Sequence, residues 1–100
     1  MLPSADNGGT YEVHCSGVIG KALKQIQQRA NAEGRGKQVL LAIRRAWQRL
    51  SHDPVDFGEP LYRLPALRMQ IRQGAVRPLL VNFAVCEDRP LVFIRSVKML

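Results

Sequence analysis

The sequence predicts an α+β domain: a short N-terminal strand, an antiparallel pair of helices, and a C-terminal antiparallel meander in a two-layer arrangement. Two periodicities carry that expectation. Residues 18–50 repeat their apolar positions at helical spacing, while residues 61–97 alternate apolar with polar residues or run apolar between turn signals. Size is the third observation. One hundred residues, 46% hydrophobic and 23% charged, suit one core, so 10–100 reads as a single domain. Residues 1–9 hold Pro3, Ser4, Asp6, Asn7, Gly8 and Gly9, which predicts a flexible arm.

Thr10 to Cys15 alternates as a strand, with Tyr11, Val13 and Cys15 on one side and Thr10, Glu12 and His14 on the other. Ser16 then reads as a helix N-cap. Val18, Ile19, Ala22, Leu23, Ile26 and Ala30 make an apolar stripe that should end near Glu33-Gly34-Arg35-Gly36, where glycine permits a left-handed residue. A second helix is expected from about Lys37, with Val39, Leu40, Ile43, Ala46, Trp47 and Leu50 turned inward and Arg44, Arg45, Gln48 and Arg49 in water. Trp47 is its expected anchor. Ser51-His52-Asp53-Pro54 ends it, because proline disfavours helical geometry at the residue before it.

Asp56 to Pro60 reads as a loop into a short strand, Leu61 to Leu64, broken by Pro65. Leu67-Arg68-Met69-Gln70-Ile71-Arg72 alternates without a break, which predicts Leu67, Met69 and Ile71 facing a core and Arg68, Gln70 and Arg72 forming a wet, cationic row. Gln73-Gly74-Ala75 supplies the expected turn, Val76 to Val85 the returning strand, Glu87 to Pro90 a second turn, and Leu91 to Val97 the last strand. Pro78 restricts the start of the returning strand. Leu79 to Cys86, apolar except for Asn82, suits a central strand covered on both sides.

The formal net charge is +7. Most of the excess falls in residues 61–100, where arginine outnumbers lysine six to one, a balance suited to bidentate contacts with phosphate or carboxylate. An anionic partner follows. Cys15 and Cys86 have neither CxxC spacing nor nearby histidines, so they read as small buried apolar thiols rather than metal or redox groups. No run of eighteen apolar residues exists and MLPSADNGGTYE lacks the regions of a secretion signal, so a cytoplasmic protein without a membrane partner is expected.

Three pieces of the chain resemble the RelE/ParE superfamily of bacterial toxins from toxin–antitoxin pairs. They are the helix end Leu50-Ser51-His52-Asp53-Pro54 with the following Gly58-Glu59-Pro60-Leu61-Tyr62-Arg63-Leu64; the run from Leu67 to Leu80; and Leu91-Val92-Phe93-Ile94-Arg95-Ser96-Val97-Lys98. The likeness spans residues 10–98 and rests on the order and spacing of short motifs. It implies an antiparallel sheet with two helices on one face and a basic concave surface on the other. It also implies a cytoplasmic toxin bound by a cognate antitoxin, without a cofactor or metal; a homodimer in the absence of the antitoxin stays open. RelE-like members are metal-independent endoribonucleases that cleave messenger RNA at the ribosome; ParE-like members inhibit DNA gyrase.

Carried across by position, the family's basic strand residues fall on Arg68, Gln70 and Arg72, and its arginine after the turn on Arg77. With Arg95 these form the expected RNA-binding set. Attack by a 2′-hydroxyl on the neighbouring phosphate needs a base, positive charge around the phosphorane and an acid for the leaving oxygen. Arg68, Arg72 and Arg77 supply charge, but arginine keeps its proton, so Lys98 joins them as the expected proton carrier. Tyr62 is a further candidate whose commoner role is packing. His14 and His52 stand outside the row. Two other readings stay open: a ParE-like or inactive relative acting by protein binding, and an unrelated small nucleic-acid-binding α+β domain.

Overall fold

Strands β1 (Glu12–Cys15), β2 (Glu59–Leu64), β3 (Met69–Val76), β4 (Leu79–Cys86) and β5 (Leu91–Met99) form one mixed sheet in the order β1-β5-β4-β3-β2. The computed structural model describes residues 10–100, and the arm expected at 1–9 lies outside them. Strand β1 pairs parallel to β5, whereas β2 to β5 are antiparallel neighbours. Helices α1 (Gly17–Ala32) and α2 (Gly36–His52) connect β1 to the meander, followed by the short helix α3 (Pro54–Phe57). The α+β class and the strand, helix pair, meander order are as the periodicity predicts.

Ser16 caps α1 by accepting a hydrogen bond from the Ile19 N–H at 3.3 Å. Gly34 adopts φ 79°, and α2 starts two residues later. Along α2, Val39, Ala42, Ala46 and Leu50 are buried at spacings of three or four residues. Ala46 and Leu50, with Ile19 of α1, pack on Val81, Phe83, Val85, Val92 and Ile94. Those strand residues share one face of the sheet. Trp47 and Leu40 correct the expected stripe: they are 37% and 42% exposed, because they sit at its rim and the smaller Ala42 and Ala46 bring α2 down onto the sheet.

Helix α3 and the start of β2 at Glu59 take up the expected loop Asp56–Pro60, leaving Gly58 between them. The signal for α3 was Asp53-Pro54, since proline is pre-organised for the first helical position. Phe57 stacks on Phe83 with centroids 5.7 Å apart, and the Arg49 guanidinium lies 5.1 Å from the Phe57 ring centre.

The turn expected at Gln73-Gly74-Ala75 is instead at Arg77-Pro78, with β3 continuing through Gly74 to Val76. Gly74 is there for clearance. A Cβ on it would stand 2.8 Å from Cζ of Phe57. Pro78 therefore belongs to the turn, in a cis Arg77-Pro78 peptide.

Candidate functional site

Register decides which side chains share the sheet's second face. Arg72 lies opposite Phe83, and Gln70 opposite Val85, so both point to the helix side. The predicted face of β3 is thus inverted: Met69 and Ile71 stand on the side away from the helices. Arg72 is only 9% exposed. Its Nε donates to the Gly58 carbonyl at 3.1 Å, Nη2 to the carbonyls of Gly58 and Val55 at 2.9 Å each, and Nη1 to Gln70 Oε1 at 2.8 Å. Arg72 is a structural clamp on the α3–β2 connection. Sequence alternation misses this because it marks a cation as wet, although a guanidinium supplied with carbonyl acceptors tolerates burial.

The other two arginines of the expected row lie elsewhere. Arg68 follows the 3₁₀ turn Pro65–Leu67 at φ 52°, outside β3, and its exposed side chain approaches Asp88 to 3.8 Å. Leu67, expected inward, is 62% exposed in that turn. Arg77 occupies the β3–β4 turn at the opposite end of β3. Arg68, Arg72 and Arg77 therefore do not form one surface, and Gln70 faces the helix side as the partner of Arg72.

Arg95 and Lys98 do share a face. Lys98 is in register with Leu80 and Ser96 with Asn82, while Arg95 is the extra residue where β5 slips against β4. Arg95 Nη1 donates to Tyr62 Oη at 2.9 Å and to Asn82 Oδ1 at 3.2 Å. Tyr62 is on β2, so the pair reaches across β3 and β4, about 14 Å at ~4.8 Å per strand spacing. Beneath it, Ile71 and Ala84 are 0% and 3% exposed on a face that no helix covers among the described residues. Tyr62, Ile71, Ala84, Phe93 and His14 are successive cross-strand partners. His14 stacks on Phe93 at 5.2 Å and lies next to Glu12 at 2.5 Å.

Chemically, this face offers a held guanidinium whose Nε and Nη2 meet no acceptor among the described residues, an exposed ammonium, and the neutral donors and acceptors of Gln73, Asn82 and Ser96 in one lateral register. Among the described residues, no carboxylate lies within ion-pair distance of Arg95 or Lys98. Glu59, in register with Gln73, is an acid of this same face and stands at its β2 edge, whereas Glu87 and Asp88 are engaged elsewhere. Arg63 binds Glu87 through Nε and Nη2 at 2.6 and 2.7 Å, and that hydrogen bond is the main reason the Glu87 carboxyl titrates below its ordinary value.

Asn82 was missed in the sequence, although it is the one polar residue in an apolar central run. Local pattern marks Tyr62 as a base or packing residue, and its partner 33 positions away is invisible to it. The expected buried thiols divide: Cys86 is buried, where desolvation raises its pKa, while Cys15 is exposed at the end of edge strand β1. No helix among the described residues is long and apolar enough to cross a membrane. No protein-family model matches the chain, and no curated protein matches it either.

Proposed function

We propose that this chain is a RelE/ParE-like toxin that engages messenger RNA on the helix-free face of its sheet. The observation that carries this reading is Arg95, held by Tyr62 and Asn82 on the same face as Lys98, with two N–H-bearing nitrogens unused and no carboxylate within ion-pair distance among the described residues. A guanidinium held in this way keeps its fork geometry for the paired oxygens of a phosphodiester and loses little side-chain entropy on binding. Lys98 lies three residues further along β5, about 10 Å at ~3.4 Å per residue, and meets a neighbouring phosphate. In cleavage Lys98 is the proton carrier of the pair, since arginine keeps its proton. The partner that silences the toxin is a cognate antitoxin.

The ParE-like alternative, action on gyrase through protein contact, is favoured by a different observation. Val55, Leu61 and Leu67 are 45%, 48% and 62% exposed on helix α3, edge strand β2 and the 3₁₀ turn that follows it. Induced expression in a bacterium separates the readings when growth, RNA ends and DNA integrity are followed together. Arrest with new messenger RNA ends, relieved by Arg95→Gln with Lys98→Gln, is the expected result. Arrest with broken DNA and intact messages selects the gyrase reading. Normal growth with no RNA binding by the purified protein would sink both.

A further inference from the structure

The β3–β4 turn carries a second cationic feature, on the helix side of the sheet. Arg77 and Val76 meet Gln38, Leu41, Ala42 and Arg45 of α2 around an open recess of about 190 Å³. Two guanidinium-bearing side chains and a carboxamide, two of them from α2 and one from the β3–β4 turn, thus border one hollow whose remaining walls are apolar. Among the described residues no carboxylate is within ion-pair distance of Arg45 or Arg77. Like charges brought together without a counterion repel, and an anion between them reverses the sign of that interaction. Two guanidinium groups and one carboxamide bordering one hollow are the donor types that bind the oxygens of a phosphate.

The recess also continues the sheet-face site. Lys98 is opposite Leu80, two residues past Pro78, and the Leu100 N–H donates to the Pro78 carbonyl at 2.7 Å, which ties the end of β5 to this turn. Arg95, Lys98, Arg77 and Arg45 therefore follow one another from the middle of the sheet face, over the turn, to the flank of α2.

We infer that Arg45, Arg77 and Gln38 form a phosphate subsite that holds the backbone of a single RNA strand as it leaves the sheet face around the β3–β4 turn. This rests on the RNA reading of that face. The test is binding of a fluorescein-labelled twelve-nucleotide uridine strand across a series of KCl concentrations, for the intact protein, Arg45→Gln/Arg77→Gln and Arg95→Gln/Lys98→Gln. Each phosphate contact contributes about 0.7 to the slope of log K against log salt for single strands, so either pair should flatten the slope by roughly 1.4. Arg45 and Arg77 are exposed, and circular dichroism melting checks that both variants stay folded. An unchanged slope in Arg45→Gln/Arg77→Gln, with a reduced one in Arg95→Gln/Lys98→Gln, overturns the subsite and leaves the sheet-face reading standing. If the intact protein fails to bind the strand, that reading falls. Inorganic pyrophosphate then tests the recess as an oxyanion site: a higher melting temperature for the intact protein but not for Arg45→Gln/Arg77→Gln supports it, and no rise overturns it.

Discussion

Arg72 shows how one side chain can change meaning with its surroundings. In a strand read alone it is a cation for solvent; in the fold it is buried and donates to the carbonyls of Gly58 and Val55. Gly58 has to be glycine for this approach, since a Cβ there would stand 3.1 Å from Arg72 Cβ and 2.6 Å from Phe83 Cζ. Replacing Arg72 by Met keeps most of the apolar stem but leaves those buried carbonyls without donors. The expected cost is about 3 kcal/mol, from hydrogen bonds to a charged group worth roughly 1.5–3 kcal/mol and the desolvated acceptors left behind. Urea unfolding measures it. A variant as stable as the parent would mean that Arg72 is no clamp. Arg95 is the contrast at this scale: an exposed arginine whose hydrogen-bond partners among the described residues, Tyr62 and Asn82, are neutral.

Among the elements, α2 is anchored by small residues. Ala42 and Ala46 are 4% and 5% exposed and allow close approach, so Leu50, at 0%, reaches the floor of the core while Trp47 stays at the rim. Leu50→Ala is therefore expected to cost about 3–4 kcal/mol and Trp47→Ala about 2 kcal/mol or less, since only the buried part of the indole contributes. Thermal or urea melts of the two variants check the order. A larger loss from Trp47→Ala would show that the indole, not Leu50, fixes the helix. The end of α2 is fastened separately: Arg49 Nε bonds both carboxylate oxygens of Asp53 at 2.9 and 3.0 Å and its guanidinium covers Phe57, which in turn fills the space above Gly74. A glycine in strand β3 thus answers an aromatic ring from a helix seventeen residues earlier.

Charge is distributed over the whole molecule in a polar fashion. At the end of the sheet bearing the β4–β5 turn, Arg63 with Glu87, and Arg68 and Arg89 with Asp88, neutralise one another. At the other end Arg45, Arg77 and Lys98 have no acidic partner among the described residues. The paired end also responds to acid. Glu87 has its carboxyl pKa depressed below 4.5, chiefly by the Arg63 hydrogen bond, so its contribution to stability is complete above that value. It is lost as pH falls through the lower, folded-state value, because the unfolded chain takes up the proton first. Glu87→Gln should flatten stability against pH in that window and leave it unchanged near neutrality in slope; an identical acid limb in parent and variant would contradict the assignment. The sequence by itself determined the class and the element order, because helical and alternating periodicities, the Ser16 cap and the Gly34 stop act within a few residues. It also located most of the excess charge. Only the tertiary structure decided which face of β3 met the helices, that Arg72 was a clamp, and that Tyr62, Asn82 and Arg95 came together. Alternation fixes two faces but does not name the covered one; that choice belongs to cross-strand register and to what Phe57, Ala46 and Leu50 place above it.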